Sequence, residues 1–183
     1  MSLTLYNYYR SSASYRVRIA LNLKQLDYEY APVHLLKGGG EQFGEAYRRL
    51  SPHLLVPLLK DGNNYINQSL AIIEYLDEIH PEPPLLPADP SDRAFVRALA
   101  LDIACEIHPL NNLRVLRYLK HELSLDDLAR NAWIQHWLTL GFEALEKELH
   151  DSDRRGRYCY SDIPTLADCC LIPQLFNARR FKV

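Results

Sequence analysis

Serine hydroxyls stand where helices should begin at two places in this chain. In Arg10-Ser11-Ser12-Ala13-Ser14-Tyr15-Arg16-Val17-Arg18-Ile19-Ala20-Leu21, apolar Val17, Ala20 and Leu21 recur at i, i+3, i+4, the spacing of one helix face. Ser11 or Ser12 is then the N-cap, its hydroxyl turned toward backbone N–H groups that the helix leaves unpaired. Gln68-Ser69 opens a second periodic run, with Ile72, Tyr75, Leu76 and Ile79 on one face and Ser69 as its cap. The start of a helix is electropositive and attracts anions. Val56-Pro57 adds a different group. A proline at the start of an apolar strand cannot donate to the ladder. A cis bond there would leave the Val56 N–H and C=O open to pair with a peptide-like ligand; an ordinary trans proline at a sheet edge is the alternative. Two helix starts and one open length of backbone suit a small, anionic, peptide-like ligand. The plainer reading of each serine is a helix cap and nothing more.

An alternation of strands and helices must hold these groups. Residues 3–6 read as a strand, followed by the helix after Ser11. Residues 28–34 read as a second strand. Gly38-Gly39-Gly40 is a flexible loop without the spacing of a phosphate-binding loop. Residues 42–50 suit a short helix, 54–60 a third strand, and 65–67 a fourth strand returning across the turn at 61–64. The helix from Ser69 completes a βαβαββα order with both serine-capped starts at the same end of the sheet. Five prolines in residues 80–90 then make a stiff, extended linker. The domain division is 1–82, a linker at 83–90, and 91–183. Everything after the linker has helical spacing: Val96, Leu99, Ala100, Ile103 and Ile107, then a break at Pro109, then Leu113, Leu116 and Leu119. At least one more helix runs within 125–149. Thr165-Leu166-Ala167-Asp168 is a capping-box pattern, with Asp where Glu is commoner.

Composition narrows the function classes. The 183 residues allow one large domain or two small ones, and 48% hydrophobic content marks a globular chain. A formal net charge of -2 gives no reason to propose nucleic acid or an anionic membrane as partner. No apolar run approaches the roughly 18 residues of a membrane helix, and the N-terminus lacks a signal-peptide layout. The expectation is a cytoplasmic protein. Cys105, Cys159, Cys169 and Cys170 form no C-x-x-C pair and no zinc spacing, so no metal is expected. Cys169 and Cys170 fall in an apolar helical pattern and read as core.

The residues quoted above resemble one family. Ser11 to Leu21 resembles the signature S-S-C-x-[WH]-R-V-R-I-A-L of the zeta-class glutathione transferases, which include maleylacetoacetate isomerases and bacterial maleylpyruvate isomerases. Gln68-Ser69-Leu70-Ala71-Ile72-Ile73-Glu74-Tyr75-Leu76 is similar to that family's glutathione-binding segment. Val56-Pro57 matches its cis-proline strand, and Thr165 to Asp168 its second-domain capping box. The resemblance covers nearly the whole chain. It implies an α/β thioredoxin-like βαβαββα domain followed by an all-α domain, the glutathione transferase architecture. There are departures. Ala13 replaces the signature's cysteine, so no thiol acts at that position. The Gln or Lys usual near the third strand is His53 or Leu54 here. Relatives normally continue through a further helical segment beyond Val183.

The resemblance implies glutathione as cofactor, and a thiolate, not a thiol, is the nucleophile. Ser11 and Ser12 are the candidate catalytic hydroxyls, donating to the cofactor sulfur at a helix start. Ser69 and Gln68 would hold its γ-glutamyl end and the Val56 backbone its cysteinyl residue. Gln42, His108, Asn112 and Arg114 are further cofactor contacts by the same resemblance. Arg10, Arg114 and Arg180 are the candidates for gripping a dicarboxylate substrate, because arginine binds carboxylates bidentately. Arg16 and Arg18 lie along the helix body and read as structural. The activity implied is glutathione-dependent cis–trans isomerisation, of maleylacetoacetate first and maleylpyruvate second. A general transferase acting on α-halo acids and a non-enzymatic interaction module are the other readings. A homodimer is implied as well.

Overall fold

The computed structural model describes residues 2–183. The chain divides into two compact units, one ending at Leu85 and one spanning Leu86–Val183, so the division falls inside the proline-rich stretch.

The first unit follows the expected order: β1 (Leu3–Asn7), α1 (Ser12–Leu23), β2 (Tyr28–Pro32), α2 (Glu45–Leu50), β3 (Leu58–Asp61), β4 (Asn64–Asn67) and α3 (Ser69–Ile79). The strands lie in the order β2-β1-β3-β4. β1 is parallel to β2 and antiparallel to β3, and β3 is antiparallel to β4, so β4 runs with β1. Helices α1 and α3 each follow one of these two parallel strands, and both therefore begin at one edge of the sheet.

Strand alternation gives the sheet two apolar faces. Tyr8, Val33, Tyr47, Val56 and Leu58 form a buried cluster on the face of α2, with Tyr6, Leu35 and Leu50 packed against it. Leu5 and its cross-strand partner Leu59 are fully buried on the other. That second face carries α1, because Arg18 of α1 reaches Asn7 Oδ1 at 3.0 Å, and α3 packs beside α1. Val17, Ala20, Leu21, Ile72, Ile73 and Leu76 fill the layer.

Several boundaries differ from expectation. β2 stops at Pro32 rather than residue 34. The short helix begins at Glu45, after a 3-10 turn over Glu41–Phe43. β3 begins at Leu58 rather than residue 54, because Leu54 has left-handed backbone (φ 57°) and Val56-Pro57 is cis. Glu82-Pro83 is a second cis bond. Ser69 is not the cap of α3. Gln68 is, with φ 66° and no side-chain bond, and Ser69 is the first residue inside the helix. The left-handed turn at Gln68 starts the helix one residue early, which frees the serine hydroxyl for a tertiary partner.

The second unit is helical. α4 (Pro90–Leu101) widens into a π-helical turn over Asp102–Ile107, then tightens to a 3-10 turn over His108–Asn111. Pro109 sits in that 3-10 turn, where the expected break occurs. α5 (Leu113–His121), α6 (Asp127–Asp151) and α7 (Leu166–Arg180) follow. Residues 125–149 thus belong mostly to one 25-residue helix. The capping box is formed: the Thr165 N–H and hydroxyl donate to Asp168 Oδ2 at 2.7 and 2.9 Å, and the Cys159 N–H donates to Asp168 Oδ1 at 3.0 Å. Cys169 and Cys170 are buried in the core of this unit.

Among the described residues, no helix is long and apolar enough to cross a membrane. No group of three or more His, Cys, Asp or Glu side chains among them is gathered as a metal ion would need.

Candidate active site

The edge of the sheet where α1 and α3 begin collects most of the first-unit candidates. Ser11 is the N-cap of α1: its Oγ accepts the Ser14 N–H at 3.2 Å, and its own N–H donates to the Tyr8 carbonyl at 3.0 Å. Ser12 is the first helical residue and half-buried. Its hydroxyl has no capping duty. Arg10 is exposed in the turn just before them.

Val56 stands at the same edge. Cross-strand pairing of β1 with β3 ends at Tyr6 and Leu58, so the Val56 peptide groups lie outside the ladder. The loop ahead of it is well held. The Leu54 N–H donates to the Ser51 carbonyl at 3.0 Å, and the Tyr47 hydroxyl donates to the Leu55 carbonyl at 2.7 Å. Burial pushes the Tyr47 phenol up to about 12, so it stays a neutral donor at any ordinary pH. The Leu54 and Gln68 conformations are costly for residues with a Cβ, and such strain is held where surrounding structure fixes it, often at functional sites. These two residues flank Val56 and Ser69.

Ser69 is 6% exposed, and its hydroxyl accepts a hydrogen bond from Arg16 Nη1 at 3.2 Å. Sequence reading gave no sign of this contact, because the two residues are 53 positions apart. Arg18 is structural as expected: it donates to Asn7 Oδ1, to the Tyr8 carbonyl at 3.4 Å and to the Tyr9 carbonyl at 3.0 Å. Those bonds fix the turn that presents Ser11. Gln42, in the connection from β2 to α2, is not displayed at the surface. It is 4% exposed and folded under Gly40, where an added Cβ would lie 2.6 Å from Oε1.

Three of the four second-unit candidates lie in or beside the 3-10 turn and α5, and the fourth, Arg180, ends α7. His108 opens that turn and is half-buried. Asn112 is the N-cap of α5, accepting the Val115 N–H at 3.1 Å. Arg114 is exposed on the first turn of α5. Arg180 is exposed at the end of α7, with its guanidinium 5.3 Å from the centre of the Phe181 ring. Asn111, which the sequence did not single out, is the anchor here. It is buried, donates to the Ile107 carbonyl at 2.8 Å, and accepts from Asn177 of α7 at 2.9 Å.

The first unit matches a family model described as the glutathione S-transferase N-terminal domain, over residues 5–84. Over its full length the chain is 54% identical to a probable maleylacetoacetate isomerase of Vibrio cholerae, covering 84% of that protein. The chain belongs to the zeta-class glutathione transferases, the family of maleylacetoacetate and maleylpyruvate isomerases. Solved structures of relatives agree with the fold, one of them described as a zeta-class glutathione transferase. A bacterial maleylpyruvate isomerase in its holo form superposes with a TM-score of 0.95 at 50% identity, covering 98% of this chain and 84% of that one. A maleylacetoacetate isomerase of Anaeromyxobacter dehalogenans with glutathione in its active site gives a TM-score of 0.85 at 43% identity, covering 100% of this chain and 83% of that one.

Proposed function

We propose that this protein is a glutathione-dependent cis–trans isomerase of a maleyl dicarboxylate. Conversion of maleylacetoacetate to fumarylacetoacetate, in the breakdown of aromatic amino acids and related compounds, is the first assignment. The observation that carries the reading is the convergence of Ser11, Ser12, Val56, Gln68 and Ser69 on one sheet edge. Free helix-start donors, hydroxyls and unladdered backbone fit a tripeptide thiol with carboxylate ends. The family membership and the glutathione-bound relative support the same cofactor.

Bound glutathione supplies a nucleophilic thiolate that allows rotation about the substrate's cis double bond and is regenerated unchanged. The chain's own residues prepare for it. The Ser11 or Ser12 hydroxyl donates to the sulfur, and the start of α1 favours the negative charge. Ser69 and Gln68 hold the γ-glutamyl end, and the Val56 N–H and C=O pair with the cysteinyl residue. Gln42, His108, Asn112 and Arg114 complete the proposed cofactor contacts. Gln42 is buried and Asn112 caps α5, so both also hold their own loops in place. Arg10, Arg114 and Arg180 are the proposed carboxylate grips, and all three are exposed. A cytoplasmic homodimer belongs to the same reading.

A second substrate, maleylpyruvate, has its own support: the holo maleylpyruvate isomerase superposes with a TM-score of 0.95.

The test is loss of the cis-enone absorbance of each compound, with and without glutathione, for wild type, Ser11→Ala and Ser12→Ala. Wild type should turn over one of them only with glutathione, leaving the thiol titre constant. Removing the hydroxyl that donates to the thiolate should slow turnover about 10- to 100-fold, the worth of a hydrogen bond to a charged group. Ser11→Ala should also lose about 1 kcal/mol of stability through the lost cap, whereas Ser12→Ala should not. Glutathione-independent decay, or no decay of either compound, overturns the proposal.

A further inference from the structure

Arg16 is 2% exposed, yet it carries a guanidinium that cannot shed its charge. Burying such a group is costly, and each hydrogen bond it makes offsets part of that cost. One of them, Nη1, donates to Ser69 Oγ at 3.2 Å, joining the second turn of α1 to the first residue of α3. A hydroxyl has one hydrogen and two lone pairs. With Arg16 donating to one lone pair, the Ser69 hydrogen cannot face the guanidinium and turns away from it. Ser69 is thereby left to donate away from Arg16. Around it are the backbone N–H groups of the first turn of α3, which have no partner inside the helix, and Gln68 supplies no side-chain cap. Fixed positive charge, a directed O–H and free N–H groups thus stand in series at one point.

We infer that Arg16 is a positioning residue for cofactor binding, acting through Ser69 on the α-carboxylate of the γ-glutamyl group. The inference rests on the glutathione reading above. A guanidinium behind the hydroxyl polarises its O–H bond, and charge-assisted chains of this kind are stronger than neutral ones. Arg16 touches no ligand in this scheme. Its effect is confined to the one ligand group that faces Ser69.

That confinement makes the test. Dissociation constants are measured by titration calorimetry on the full chain, for glutathione and for γ-aminobutyryl-cysteinyl-glycine, which keeps the thiol and both amides but lacks the α-carboxylate. Wild type should prefer glutathione. Arg16→Gln should weaken glutathione about tenfold and leave the analogue unchanged. Arg16→Lys, which retains a charge and a donor, should recover most of the preference. Equal weakening of both ligands in Arg16→Gln would mean a general structural role and overturn the inference alone. Should Arg16→Gln fail to fold, Arg16→Lys is measured with and without Ser69→Ala: a residual loss of preference that disappears once the hydroxyl is gone supports the relay, and a loss that persists without the hydroxyl, or an undiminished preference in Ser69→Ala, overturns it. Binding of neither ligand by wild type overturns the glutathione reading and the inference with it.

Discussion

Lys24 is the buried cation that braces the two site-forming helices from their far ends, and replacing it with methionine should be severe. Its side chain is fully buried, and Nζ contacts Asp77 Oδ1 at 2.7 Å, the His80 carbonyl at 2.6 Å and the Pro83 carbonyl at 2.9 Å. An ammonium has three donors, and here all three are taken. Lys24 closes α1, Asp77 lies in α3, and His80 and Pro83 lead into the proline-rich stretch. Methionine keeps the volume but leaves Asp77, itself 13% exposed, with only the Leu85 N–H at 2.8 Å. Breaking a buried pair while keeping one charge costs about 3–5 kcal/mol. The His80 and Pro83 carbonyls lose a donor as well, but both residues are exposed and those oxygens can turn to water. Taking about 3 kcal/mol, the melting midpoint of a chain this size should fall by about 6–12 °C. Thermal unfolding followed by circular dichroism measures that fall, and urea unfolding the free-energy loss. A partner change, Asp77→Asn, should cost less in the Lys24→Met background than in wild type, with a coupling of about 1–3 kcal/mol. A loss under about 1 kcal/mol for Lys24→Met, or strict additivity of the pair, would refute the reasoning.

Other expectations concern the second unit. Gly141→Ala should destabilise by about 1–3 kcal/mol in chemical denaturation, because the new Cβ would lie 2.5 Å from Ile107 Cγ1, on the π-helical turn. Asp168→Ala should cost about 3 kcal/mol by the same measurement, since it strands the buried donors of Thr165 and Cys159; Asp168→Asn, which keeps one acceptor oxygen, should cost less. Burial and the neighbouring Glu106 carboxylate raise Asp102 above the ordinary range, and burial with Asp102 raises Glu148. The folded chain therefore holds these protons more tightly than the unfolded one, and stability from them falls as pH rises out of the ordinary carboxylate range. Asp102→Asn should raise the melting temperature at neutral pH, and that gain should vanish in thermal scans below the carboxylate range.

How much of the site could be read early differs from residue to residue. The cap of α1 is legible to within one residue, Ser11 or Ser12, because an N-cap is a local device: a hydroxyl and an apolar period place it, and only the backbone geometry chooses Ser11. The capping box at Thr165–Asp168 was legible for the same reason. Ser69 reads as a cap from its sequence but stands inside the helix, because the positive-φ turn at Gln68 is a backbone state that no side-chain pattern announces. The family resemblance makes Asn112 a ligand contact, and the structure makes it the N-cap of α5.

The sequence by itself determined the order of elements in the first unit and the family, since periodicity, turn chemistry and motif spacing act over a few residues at a time. The tertiary structure alone decided what sits behind the site. Arg16 reaches Ser69, Lys24 reaches Asp77, and Asn111 receives Asn177 across separations of 53, 53 and 66 positions. Each is a polar group that must find a partner once burial removes water. Which partner it finds depends on how the chain packs, and no local pattern encodes that choice.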